Sequence, residues 1–257
     1  MSDKKTEFPL YENTSSIRID HENKRIIFIT KDLLLNQIYR DGPLVAKSFD
    51  EISKYQLDEI SMVIADTYSL IFNHIKSDVD DYKSTCAGLV GNALSTFIAS
   101  IEVARHGFRR PYGSIARGII ESLSVILHIM VEPGALENFH NGKLQSTKSI
   151  SAAKKIFEPI GFFYGKLSND FVHITKFHAI LEPVKKFTND EEPLKFILST
   201  LRANAWLIYV VSELVFYEET ASPRYWKDMG NGHFKYDPSD EEKIWQKKFL
   251  FLGEEED

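Results

Sequence analysis

Between Ser114 and Val131 the chain places Ile115, Ile119, Ile120, Leu123, Val125, Ile126, Leu127 and Ile129 so that apolar side chains surround a helix on nearly every side. A helix of that kind belongs at the centre of a protein, with other elements packed around it. It carries one exception. At about 100° per residue, Arg117, Glu121, Ser124 and His128 fall in a single stripe about 60° wide. A polar stripe on a central helix faces either buried partners or a polar cavity. Because an unpaired buried charge is strongly unfavourable, an Arg117–Glu121 pair at i,i+4 is the minimum arrangement. One reading is a structural ion pair that fixes helix register. The other is the wall of a binding or catalytic pocket, which polar groups converging in an apolar surface define. The residues alone leave both open.

The flanking segments supply the partners for such a helix. Residues 50–76 repeat Ile52, Tyr55, Ile60, Val63 and Ile64 with helical period, and Ser84 to Arg105 forms a second helix rich in small residues. Gly107 suits its C-cap, Ser114 the N-cap of the central helix, and Pro133-Gly134 ends it. After a helical turn at Ala135–His140, a fourth helix runs from Ser149 towards Lys166, with Pro159 and Gly161 expected to kink it. A further segment spans Ser168 to Leu181. Glu192-Pro193 opens the last long helix, to about Tyr217, and a short amphipathic helix covers Ser239–Leu250. Near the start, Ile17–Asp20 alternates and Arg25–Thr30 is rich in β-branched residues, with His21–Lys24 between them as a hairpin break. Residues 1–14 read as frayed, and Asp41-Gly42-Pro43 as a turn closing the N-terminal section.

The expected fold is therefore mainly α, a helical bundle of five to six helices with a small N-terminal β-hairpin. Residues 1–45 form an arm whose hairpin packs on the bundle, 46–220 the bundle, and 221–257 an extension with a short helix and an acidic tail.

Charge and cysteine content exclude several classes. A formal charge of −6 argues against a generally basic nucleic-acid binder. A local basic linker, Arg105, Arg109 and Arg110 interleaved with Phe108 and Tyr112, runs against that average. It reads either as a solvated turn with local ion pairs or as an anion or RNA contact, with RNA not favoured. Cys86 is the single cysteine, which rules out an internal disulfide, and its small apolar neighbours suggest core packing. The polar N-terminus lacks an export signal, and no stretch reaches about 18 uncharged apolar residues, so the expectation is a cytoplasmic protein without a membrane. Glu137-Asn138-Phe139-His140 is a lone Glu-x-x-His, and His173 and His178 lie about 140° apart on a helix, so neither metal nor another cofactor is expected.

One further run, Lys166-Leu167-Ser168-Asn169-Asp170-Phe171-Val172-His173, combines with Arg117-x-x-x-Glu121 into a recognisable pattern. An Arg-x-x-x-Glu helix followed at distance by Leu-Ser-x-x-x-Val-His resembles bacterial helical domains of unknown function, themselves distantly similar to the HEPN superfamily. The likeness covers roughly residues 84–217. It implies an all-helical bundle, frequently dimeric, and in active members a metal-independent ribonuclease of toxin or phage-defence type. His173 would then act as acid or base, with Arg117 or Lys166 holding the scissile phosphate. Active members carry Arg-x(4–6)-His. Here Lys166 stands before His173 with six residues between, and lysine lacks the bidentate grip of arginine. Two functions follow: a non-catalytic interaction or regulatory module, with a homodimer as its expected assembly, or a HEPN-like ribonuclease whose pocket gathers Arg117, Glu121, His128, Lys166, Ser168 and His173. The missing arginine favours the first.

Overall fold

A computed structural model describes residues 13–75, 80–180, 184–189 and 191–250. The frayed start, the Glu182-Pro183 break and the acidic tail at Glu254–Asp257 lie outside the described residues, apart from Asn13 and Thr14. In chain order the elements are β1 (Thr14–Asp20), β2 (Arg25–Thr30), a short α1 (Leu33–Asn36) and a wide π turn (Gln37–Asp41). Then come α2 (Gly42–Ile71), α3 (Asp81–Arg105), α4 (Arg109–Val131), α5 (Ala135–His140), α6 (Ser146–Ile156) and α7 (Glu158–Leu167). A second π turn (Ser168–Val172) and a 3-10 turn (Lys176–Ala179) lead to α8 (Glu192–Val215), the strands β3 (Trp226–Asp228) and β4 (Phe234–Tyr236), and α9 (Asp240–Phe249). Among the described residues the protein is mainly helical, with eight helices of six residues or more rather than the expected five to six.

As its apolar surround predicts, α4 is the central helix, packed against α3, α5, α6, α7 and α8, while α8 is the most deeply buried. Every residue from Thr200 to Phe216 is buried, and α2, α3 and α4 all pack against this helix. Such a run cannot present a polar face to water, so a charged group on it depends on partners inside, which Arg202 and Glu213 both find. Arg202, 1% exposed, pairs with Glu59 of α2, donates to the Phe249 carbonyl at 3.0 Å and lies over the Phe249 ring. Glu213, with no exposed surface, accepts the backbone N–H groups of Arg224, Tyr225 and Trp226 at 3.0, 2.7 and 3.1 Å. Arg224 in turn grips Glu242 of α9 with two bonds of 2.9 and 2.8 Å and lies over Trp245. These carboxylate contacts hold its guanidinium above its ordinary range against the opposing effect of burial. The C-terminal extension is thus tied into the same core, to which Tyr225, Trp226, Phe249 and Leu250 contribute.

Local departures from the sequence reading have identifiable causes. Pro43 does not end a section; it sits in the first turn of α2, where a missing N–H costs nothing. Ser114 is not an N-cap, because α4 begins at Arg109 and takes Pro111 in its first turn; the Ser114 hydroxyl donates to the Phe171 carbonyl instead (3.2 Å). The expected fourth helix is two helices, split where Phe157 turns extended (φ −143°, ψ 95°) and Pro159 enters the first turn of α7. Gly107 does end α3 in the left-handed region (φ +80°). The aromatic stretch around Trp226 and the bend at Gly230–Gly232 form a second hairpin that periodicity over three-residue strands cannot show. The N-terminal hairpin forms as expected, but it is not buried on the bundle: Ile17, Ile19, Ile26, Phe28 and Ile29 all stay exposed.

By length and composition alone, α3, α4 and α8 are each apolar enough to cross a membrane, a property that a search for uncharged runs overlooks. In the fold, 39%, 50% and 83% of their most apolar windows are buried within the protein.

Replacing Glu213 by alanine strands three buried N–H groups. Glu213→Ala is therefore expected to destabilise the protein by about 3 kcal/mol or more, read as a lower midpoint in urea unfolding, whereas Lys143→Ala, an exposed site, should leave the midpoint unchanged.

Candidate functional site

The stripe on α4 does not converge on one cavity. Arg117 and His128 are eleven residues apart, which places them about 16 Å apart along the helix axis. Each half of the stripe meets a different neighbour. Arg117 donates to Glu121 at 2.6 and 3.0 Å and to the Tyr164 hydroxyl of α7 at 3.1 Å, with its guanidinium 4.9 Å from the Tyr164 ring centroid. Both charged side chains are partly exposed. Ser124 is sealed inside and donates to the Ile120 carbonyl of its own helix at 2.7 Å. His128, 3% exposed, bonds Ser149 of α6 through Nδ1 (3.0 Å) and Glu132 through Nε2 (2.7 Å). With both ring nitrogens engaged, His128 clamps α4 to α6 and does not face a substrate.

The second set of residues lies at the end of α7 and on the turn after it, which packs on the N-terminal half of α4. Lys166, exposed at the end of α7, pairs with Asp170 at 3.1 Å and lies 5.6 Å from the Phe196 ring centroid. The segment from Ser168 to Ala179 is not the regular helix that the sequence suggests: the π turn ends at Val172 and His173 is extended (φ −73°, ψ 122°). His173 is exposed, and its backbone N–H closes the turn onto the Ser168 carbonyl at 2.9 Å. The Ser168 side chain is buried and its hydroxyl has no hydrogen-bond partner. His178 accepts from the Thr175 N–H at 3.1 Å through Nδ1, which assigns the ring proton to Nε2, 3.4 Å from the Phe171 carbonyl. Phe171 itself seats against α4. A Cβ added at Gly113 would fall within the Phe171 ring, so this close approach depends on glycine.

The basic linker is also committed internally. Arg105 holds Asp50 of α2 through two bonds of 2.7 Å and Glu102 through two more at 2.7 and 2.8 Å. These partners raise its guanidinium above the ordinary range, with Asp50 the largest contributor. Arg109 is buried, pairs with Glu191 at 2.6 Å and lies 5.2 Å from the Phe187 ring centroid. Arg110 is half-buried beside Asp170 and Glu192 in a shallow cleft. Arg105 and Arg109 thus tie the ends of α3 and α4 to distant carboxylates, where the sequence offered a solvated turn with local ion pairs or an anion contact.

Sequence reasoning missed the groups that complete these clusters. Glu132 follows His128 at i,i+4 and was readable as its partner, whereas Tyr164, Ser149 and Glu191 come from distant segments and have no local signature. It also missed a groove of about 530 Å³ between α7, α8 and α9, walled by Phe162, Phe163, Leu167, Phe196, Trp206 and Leu250. Its chemistry is that of apolar shelter. Among the described residues no three His, Cys, Asp or Glu side chains gather as metal ligands would. Cys86 lies fully buried, and burial pushes its thiol up to about 12, the setting of a packing residue.

No family model matches this chain, and neither the curated proteins nor the solved structures compared with it show significant similarity.

Two outcomes are expected here. In the native protein at pH 8, Cys86 should resist a thiol-reactive chromophore and become stoichiometrically labelled only in denaturant; rapid native labelling would contradict its burial. Because the Arg117–Glu121 pair is partly exposed, Arg117→Ala should lower stability by no more than about 1 kcal/mol in chemical unfolding.

Proposed function

We propose that this chain is a non-catalytic interaction module working in the cytoplasm. The observation that carries the reading is that most of the candidate catalytic groups are taken up by internal partners. Phosphoryl-ester cleavage by an acid/base histidine needs a cation and the histidine within reach of one phosphate. Here His128 is sealed between Ser149 and Glu132, and Arg117 is turned onto Glu121 and Tyr164. Lys166 is turned onto Asp170. What supports the cytoplasm is a lone cysteine kept as a buried thiol and a framework that depends on packing, not on disulfides.

A second reading keeps one observation in its favour. His173 is exposed to solvent on a non-helical segment, as an acid/base group must be, and in the HEPN-like ribonuclease reading it would be the essential residue. RNA incubated without added metal decides between them. The module reading expects intact RNA with the wild type and with His173→Ala alike, both shown folded by circular dichroism. Cleavage by the wild type that is lost in His173→Ala would overturn it.

A further inference from the structure

The most conspicuous unpartnered surface is the N-terminal arm. In the β1–β2 hairpin, Ile17 stands opposite Phe28 and Ile19 opposite Ile26. Residues directly opposite in an antiparallel pair point to the same side, so these four build one continuous apolar face. All four are between 44% and 60% exposed. The hairpin is followed by a helical run that passes without a break from α1 through the π turn into α2, every junction residue keeping right-handed helical dihedrals. From Leu33 to Asp41 none of that run is buried. Leu34, Leu35, Ile38 and Tyr39 add a second exposed apolar stretch, 49% to 76% accessible, at the foot of the hairpin.

The amount of surface matters. Together the two stretches leave on the order of 1,000 Å² of apolar area open, comparable with the area of about 800 Å² that each partner gives up in a standard interface. A two-stranded hairpin is also marginal by itself and gains stability when its face is covered.

We propose that the occupant of this face is the same face of a second copy, so that two hairpins pack against each other around a two-fold axis. The inference rests on the interaction-module reading and names its partner. Charge supports self-association here. Between residues 13 and 44, Arg18, Lys24, Arg25, Lys31 and Arg40 stand against Asp20, Glu22, Asp32 and Asp41, five cations less four carboxylates, or +1. The whole chain carries −6, so the remainder carries −7. The arm is a near-neutral region, where two copies of an acidic chain meet with little mutual repulsion. A two-fold axis uses one patch twice, and an apolar face lacking a fixed charge pattern is complementary to itself.

Sedimentation velocity on the full chain at tens of micromolar tests this. The wild type is expected to sediment as a dimer, and Ile17→Glu combined with Phe28→Glu to weaken self-association at least about 100-fold, leaving a monomer whose circular dichroism matches the wild type's. Ile244→Glu, an equally exposed apolar site on α9, should remain dimeric. As a covalent check, Ile19→Cys should cross-link to a dimer on mild oxidation while Ile244→Cys does not, native Cys86 being buried. A monomeric wild type overturns the proposal. So does a dimer indifferent to the arm substitutions, and so does a monomer whose arm instead binds phospholipid vesicles, which would make the partner a lipid surface. The RNA experiment is independent: cleavage there removes the module reading whatever the oligomeric state.

Discussion

Glu213 brings a carboxylate into the interior of the bundle, and the chain after α8 is arranged to meet it. Three successive N–H groups at Arg224, Tyr225 and Trp226 point into one buried acceptor, which fixes where the polypeptide re-enters the core after α8. Eleven residues earlier on the same helix, Arg202 does the corresponding work with opposite charge, joining Glu59 of α2 to the last carbonyls of α9. A helix apolar on all sides could slide or rotate among its neighbours with little change in buried area. Two buried charges with directional partners remove that freedom, and they do so at the two ends of the most buried stretch of the protein.

The same logic explains why the polar stripe of α4 is not a pocket. Eleven residues of helix reach further than a small-molecule site, and the neighbours change along the way: α7 faces the half with Arg117, α6 the half with His128. Each half found its own satisfaction. The two halves of the stripe thus join α4 to two different helices.

Much of the architecture was legible. The periods of α2, α3, α4 and α8, the hairpin break at His21–Lys24 and the end of α3 at Gly107 all reflect short-range rules of packing and backbone sterics. What stayed hidden depended on distant segments. Arg202 and Glu213 look like surface residues in an apolar run until their partners at Glu59 and 224–226 are known. The break at Phe157 follows from a proline that starts a helix as readily as it bends one. The segment around His173 carries helical composition, yet its conformation is set by Phe171 seated on α4 and Phe196, not by its own propensity. For the candidate site, sequence spacing found the Arg117–Glu121 pair and overestimated what the remaining residues share.

The contact between Gly113 and Phe171 carries an evolutionary consequence. The notch in α4 exists because residue 113 has no side chain, and the ring that fills it keeps the turn carrying Ser168 and His173 against the bundle. Neither position is free to drift by itself. A lineage that acquired even an alanine at 113 would expel the ring and release that turn, unless residue 171 had already become small. The two sites therefore constrain each other, and the seating of the turn that carries His173 depends on a glycine fifty-eight residues before Phe171.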